Sequence, residues 1–343
     1  VRLREGSPKQ AHPERRASTR GAADRRRQLS EEMVEVKVLV ALDGSPSSVD
    51  ARDLVAGLPW PPATIIRLLT AYEGPSKGST GFRGAVRAEQ GLRRDLEQEL
   101  ARMSEPLIDR WTVERRLVRD RPASAIVASA ANLGADLIVL GSRGRGALAS
   151  MLLGSVPAEV VEHAPCPVLV ARGGRVSRLL VASDGSDTAG AIPARLGGWG
   201  VFAGLPAEVI SVAPPREPAY EFIVGLYTLG SYPLATDRAE ALERHRRFAD
   251  EVAHDLTVAG LPATSHVRAG DAADEILAAA QRSGADLIVT GSRGLRGLDR
   301  LLLGSVARNV VLHAPCSVLV MRPEGATATR QAKSRPEAPS PSA

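Results

Sequence analysis

The sequence predicts an α/β protein built from two tandem doubly wound domains, each a five-stranded parallel sheet between layers of helices. Three observations lead there. The body is a duplication: residues 134–170 and 284–320 align without a gap at an offset of 150, with 25 of 37 positions identical. VLVALDGS at 38–45 matches LLVASDGS at 179–186 at an offset of 141, so the nine-residue difference falls in the middle of the repeat, where loops vary. A unit of that size is a whole domain, well above the roughly 20–50 residues of a solenoid repeat. The strand-like runs are continuous Val, Ile and Leu rather than alternating, as in a parallel sheet covered on both faces. They alternate with helix-period segments, and right-handed crossovers then wind the chain into a doubly wound layer.

In the first half, Val36–Leu42 is a buried β-branched run, Ser47–Leu58 a helix and Thr64–Ala71 the second strand. Residues 84–104 (GAVRAEQGLRRDLEQELARMS) combine helical period with i,i+4 charge pairs. Val113–Val118 is the third strand, Ala123–Leu133 an Ala-rich helix and Asp136–Leu140 the fourth strand. Ser155–His163 reads as a helix with apolar Val156, Val160 and Val161, and Val168–Ala171 closes the unit. The second half repeats this, with strands near 178–183, 207–212, 264–268, 286–290 and 318–321 and a long helix at 236–259. The domains span 34–172 and 177–322, joined by a short Gly-Gly linker at 173–176.

Residues 1–33 and 323–343 are rich in Ser, Ala, Pro and Arg and show no hydrophobic period, so both tails are expected to be disordered. Met33 stands immediately before the first strand and is a candidate start of translation, which would leave residues 1–32 untranslated. The net charge is +5, yet 1–33 hold nine Lys/Arg against five Asp/Glu and 323–343 hold three against two. The body at 34–322 is therefore neutral, without the basic excess that nucleic-acid binding needs. Aromatics at 3% also supply few stacking platforms for single strands. No uncharged apolar run approaches the roughly 18 residues of a membrane helix, and the Arg-rich start has no secretory apolar block. Two cysteines cannot build a disulfide framework, which points to a reducing, cytoplasmic setting.

Open parallel sheets bind ligands beyond the carboxyl ends of their strands, where strand order reverses. For the order 3-2-1-4-5 that point lies between strands one and four. After strand one stand Asp43-Gly44-Ser45 and Asp184-Gly185-Ser186. After strand four stand Gly141-x2-Gly144-x9-Gly154-Ser155 and Gly291-x2-Gly294-x9-Gly304-Ser305. Glycines permit positive φ and let backbone N–H groups approach phosphate oxygens with no Cβ in the way. Ser155 and Ser305 sit where an N-cap belongs, before an apolar helix whose positive end would face an anion. The aspartates can accept hydrogen bonds from ribose hydroxyls or a base, or help hold a cation. Together these residues describe a nucleotide pocket in each half. The plainer alternative is a helix cap and a tight turn, and the full spacing in both copies weighs against it.

The G-x2-G-x9-G-[ST] pattern, the VLVALDGS opening and the HAPC-[PS]-VLV ending resemble the universal stress protein family over essentially all of 34–322. The resemblance implies the adenine nucleotide alpha hydrolase-like, Rossmann-like form of the doubly wound fold. It implies the family's ATP-binding branch, since the other branch lacks the glycine motif, with Mg or Mn as a companion ion. By the same resemblance Asp43 and Asp184 lie against the adenosine, and Ala71 and Val212 contact the base. Gly141 and Gly144 meet the ribose and phosphates, with Gly154, Ser155 and Val156 at the phosphates. Gly291, Gly294, Gly304, Ser305 and Val306 do the same in the second half. Ala71 stands where the family often has Val, which implies a looser grip on adenine. The Gly-x-Pro-like turn before the third helix also departs, reading Arg119-Asp120-Arg121-Pro122 and Ala269-Gly270-Asp271.

Other motifs carry less. Arg143 and Arg293 sit inside the glycine loops and either reach a phosphate or face solvent. His163/Cys166 and His313/Cys316 give two soft ligands each where zinc wants four, so packing is expected and no metal site. Arg244, His245, Arg246 and Arg247 are expected on a solvated helix face. GxxxxGK[ST] is missing. With one carboxylate per pocket and no second acid or base, the expectation is an ATP-binding, stress-responsive regulator with no catalytic residue and at most slow hydrolysis. The alternative is a nucleotide-free scaffold acting through protein contacts. The strands at Val168–Val170 and Val318–Val320 are expected to pair across the two halves, covering an exposed edge within one chain, with a homodimer as the other arrangement.

Overall fold

The computed structural model describes residues 35–74, 82–144, 153–214, 234–292 and 303–323. In the first half β1 (Lys37–Ala41), β2 (Ile65–Tyr72), β3 (Thr112–Arg119), β4 (Leu137–Gly141) and β5 (Val168–Ala171) alternate with α1 (Pro46–Gly57), α2 (Phe82–Ile108), α3 (Pro122–Leu133) and α4 (Ser155–His163). The second half runs β6 (Leu179–Ala182), α5 (Asp187–Gly190), α6 (Ile192–Trp199), β7 (Ala207–Ala213), α7 (Leu234–Val258), β8 (Ala263–Ala269), α8 (Ala272–Ser283), β9 (Leu287–Gly291), α9 (Ser305–His313) and β10 (Ser317–Met321). Both tails, at 1–34 and 324–343, lie outside the described residues.

The strands form one ten-stranded sheet of order β3-β2-β1-β4-β5-β10-β9-β6-β7-β8. Each half is therefore 3-2-1-4-5, parallel within itself. The halves meet where β5 and β10 run antiparallel, with Val170 opposite Val318, Leu169 opposite Leu319 and Val168 opposite Val320. All six side chains are fully buried. The outer rims are ionic instead. On β3, Glu114 pairs with Arg67 of β2 at 2.6 Å, and on β8 His266 lies 3.0 Å from Glu208 of β7.

Because strand side chains alternate between faces, the Val/Ile/Leu runs feed two cores. One holds Val38, Val40, Ile66, Leu68 and Leu319 beneath Leu54 of α1, Leu107 of α2, Leu196 of α6 and Leu256 of α7. The other holds Leu39, Ile138, Val168 and Val318 beneath Ile126 of α3, Val161 of α4, Ile276 of α8 and Val311 of α9. Burying each such side chain is worth about 1.5–3 kcal/mol.

The repeated GAD triplet is structural. Gly134 (φ +64°) and Gly284 (φ +66°) take the left-handed conformation that ends α3 and α8, and a side chain would be strained there. Two residues on, Asp136 accepts the Lys37 N–H at 2.9 Å, and Asp286 accepts the N–H groups of Ser177 (2.9 Å) and Arg178 (3.0 Å). Each aspartate ties the start of its half's first strand to its fourth.

Two elements depart from the sequence reading. The second half does not repeat a single helix after its first strand. It breaks at Ala191 into α5 and α6, because Pro193 has no N–H for the carbonyl of Ala189 and its ring would crowd that carbonyl. The long helix expected over 84–104 runs on to Ile108 through Pro106. The cost of the proline falls in the last turn, which also delivers fully buried Leu107 to the core.

Candidate functional site

At the switch point of the first half, the carboxyl ends of β1 and β4 frame a cavity of about 380 Å³. Asp43, Ala71, Gly141, Gly144, Gly154, Ser155 and Val156 all line it, so seven positions singled out in three separate stretches of sequence meet in one space. Its size suits a small organic ligand. The walls near Ala71 are apolar, made by Ala41, Leu69, Ile126 and Leu140.

The acidic turn is built by its own residues. Ser45 caps α1, its hydroxyl accepting the Ser48 N–H at 3.3 Å. The Ser45 N–H donates to Asp43 Oδ1 at 3.0 Å, and the Ser45 hydroxyl donates to the Arg143 carbonyl at 3.2 Å, tying the two ends of the site together. The second half repeats the first of these bonds, with Ser186 N–H donating to Asp184 Oδ1 at 3.0 Å. Arg143 is exposed and lines the cavity.

The glycines act by closeness rather than by left-handed backbone. None of Gly141, Gly144, Gly154, Gly291 and Gly304 has positive φ. A Cβ on Gly141 would stand 2.6 Å from the Ser47 backbone, and one on Gly144 would stand 2.9 Å from Asp43 Oδ2. Gly141 lets α1 cross close to β4, and Gly144 lets the loop close on the carboxylate. Gly141→Ala is accordingly expected to lower unfolding stability by about 1–3 kcal/mol through overpacking, measured by urea denaturation. A change below a few tenths would show that the α1 turn yields.

The N-cap expectation is corrected. Gly154 and Gly304 are the capping residues of α4 and α9, and Ser155 and Ser305 are the first helical residues, both exposed. The glycine amides are already used, Gly154 N–H donating to the Ser142 carbonyl and Gly304 N–H to the Ser292 carbonyl, each at 2.8 Å. The donors a ligand would meet are the first-turn N–H groups of Ser155 and Val156, which have no acceptor within the helix. Pro157 offers none at the next position, where the second half has Ala307.

In the second half Asp184 lies two residues beyond the end of β6, Gly291 ends β9, Val212 lies near the end of β7, and Gly304, Ser305 and Val306 start α9. Gly294 and Arg293 lie outside the described residues. The neighbourhood differs from that of the first half. Arg244, Arg246 and Arg247 are exposed on α7, but His245 turns inward, its Nδ1 2.8 Å from Ser211 Oγ and its ring edge-on to Phe248 at 5.6 Å. Burial and the neighbouring Arg244 push its pKa below the usual histidine range, against the pull of Asp184. Phe248 also covers Gly185, where a Cβ would fall 2.5 Å from its ring. An R-H-R-R run on a period-3.6 helix hides one inward residue among outward ones, and that period was the available signal. The sequence also missed Pro122 and Ile126, which bring α3 to the first cavity; the Arg-Pro start of that helix was the sign.

Among the described residues no cluster of three or more His, Cys, Asp or Glu is placed to hold a metal. His163 Nδ1 lies 2.9 Å from the Glu159 carbonyl of its own helix, and His313 Nδ1 lies 3.0 Å from that of Asn309. Burial pushes the Cys166 thiol up to about 12 and Cys316 up to about 11, so both stay protonated. No helix among the described residues is long and apolar enough to cross a membrane.

The fold and site define a duplicated doubly wound α/β protein with an acidic turn and a glycine-rich loop facing each other at the first half's switch point. The sequence model of the Universal stress protein family matches residues 36–172 and again 176–322. The chain belongs to the universal stress protein family. It is 32% identical over 154 residues to a universal stress protein of Methanocaldococcus jannaschii, covering 42% of this chain and 81% of that one. A Mycobacterium bovis universal stress protein is 31% identical over 212 residues, covering 59% of this chain and 66% of that one. Among solved structures, a universal stress protein from Archaeoglobus fulgidus superposes with a TM-score of 0.56 at 20% identity, over 83% of this chain and 96% of that one.

Proposed function

We propose that this universal stress protein binds ATP at the switch point of each half and acts as a stress-responsive regulator in the cytoplasm, without a catalytic role. The observation that carries the reading is the convergence of Asp43, Ala71, Gly144, Gly154, Ser155 and Val156 on one ligand-sized cavity. The apolar end beside Ala71 suits a base, the Asp43 carboxylate suits ribose hydroxyls, and the α4 N-terminus with Arg143 suits the phosphates. Asp184, Val212, Gly291, Gly294, Gly304, Ser305 and Val306 would serve in the second half. Among the described residues Asp43 is the one carboxylate lining the first cavity, so a Mg or Mn ion would be held chiefly by the phosphates. Catalysed transfer needs a positioned base or water-orienting group. Asp43, bound to Ser45 N–H, is poorly placed to swing into that task.

The two domains are taken as 34–172 and 177–322, and the antiparallel β5–β10 contact supports one chain standing in for a two-chain assembly, with a homodimer of whole chains the rival arrangement. Equilibrium titration with Mg-ATP, beside mass spectrometry of nucleotide carried through purification, tests the reading. Saturable binding with turnover slower than about one per minute is expected. An absence of binding would favour a scaffold working through its surfaces, and brisk turnover would make the protein an enzyme.

A further inference from the structure

The residue after each half's last strand is an arginine, and each arginine reaches across the seam to the other half. Arg322 follows β10, is 7% exposed, and donates through Nη2 to the carbonyls of Val161 and, at 2.8 Å, Glu162. Those carbonyls belong to the last turn of α4 in the first half. Arg172 follows β5 and donates through Nη2 to the carbonyl of Val311, in the last turn of α9, and through Nη1 to that of Cys316 at 3.4 Å. Its backbone N–H donates to Ser317 Oγ at 3.1 Å. The exchange is symmetric: Arg172 and Arg322, like Val161 and Val311, are 150 positions apart, as in the repeat itself.

The last carbonyls of a helix have no intrahelical partner, and a guanidinium there satisfies them and complements the negative end of the dipole. The helices so held are the two that begin at the last glycine of each motif, Gly154 and Gly304. Each has nine residues, a rod of about 13 Å, too short to bend between its ends. A cation from one half therefore sets the position of the helix that would meet phosphate in the other half.

Resting on the nucleotide reading above, we infer that Arg322 and Arg172 are positioning residues for the opposite halves. Arg322 sets α4 for the first crevice, Arg172 sets α9 for the second, and the two sites are wired crosswise. An anion at the N-terminus and a guanidinium at the C-terminus of one helix stabilise the same placement, so occupancy of one half tightens the other half's hold on the seam. Linkage makes that effect reciprocal.

The test uses the full chain in two backgrounds, Gly304→Val to read the first crevice and Gly154→Val to read the second. Arg322→Met, which keeps most of the stem and loses the fork, is expected to weaken Mg-ATP binding at the first crevice about fivefold or more and to leave the second unchanged. Arg172→Met is expected to do the reverse. Hydrogen exchange should quicken at 155–163 in Arg322→Met and at 305–313 in Arg172→Met. General destabilisation would not produce this crossed pattern. Equal weakening at both crevices, weakening at the arginine's own half, or no change overturns the inference while the parent still binds ATP. A parent that binds no ATP overturns the proposed function instead, and the exchange arm alone then decides whether each arginine holds the opposite helix.

Discussion

Leu319→Asp is expected to lower unfolding stability by about 3–5 kcal/mol, among the largest effects of any single change in this chain. Leu319 is 0% exposed, stands opposite Leu169 across the antiparallel seam and beside Val289 on the parallel side, and belongs to the core beneath α1 and α2. The substitution removes a buried leucine and leaves a carboxylate among the apolar side chains of that core. Urea denaturation followed by far-UV circular dichroism measures the loss. Because both cores run through the seam, the variant is also expected to unfold in separate steps if the parent unfolds in one. A loss under about 1 kcal/mol would show that the halves do not share a core at this position.

Gly154→Val is expected to reduce ATP affinity at the first crevice by about 100-fold or more, near 3 kcal/mol, with little change in stability. The backbone tolerates the change, since Gly154 has φ −75° and ψ 160°, an extended conformation that β-branched residues adopt readily. A Cβ there would make ordinary contact with Pro157 Cδ at 3.4 Å. The added methyl groups would crowd the space beside the Ser155 and Val156 amides, where a phosphate would sit. Gly304→Val is the matching change in the second half, and the double variant should show no saturable binding by calorimetry. Unaltered affinity in Gly154→Val would move the phosphates away from α4.

Much of this was legible in the sequence, for identifiable reasons. Strands buried on both faces must be continuously apolar, so Val38–Ala41 and Leu137–Leu140 announced themselves and the repeat supplied the topology twice. The first crevice was legible because glycine spacing encodes how close two backbones come, as Gly141 against Ser47 shows. Caps were not, because a serine that begins a helix and one that caps it look alike in sequence. Only the position of Gly154 separates them. The break between α5 and α6 was carried by one proline in an otherwise helical stretch. His245 was misplaced because side-chain direction on a charged helix depends on where the helix docks, which distant strands decide. The arginines at 172 and 322 were unremarked because their partners are main-chain carbonyls of the other half, and those carry no sequence signature.

The strand order has one more consequence. A sheet grows by adding strands at its ends, and growth is easiest where an end is short, greasy and undefended. In this chain the two greasy ends, β5 and β10, are spent on each other, and the ends left outward carry Arg67 with Glu114 and Glu208 with His266. The ledge on which another copy could stack is folded inside a single polypeptide.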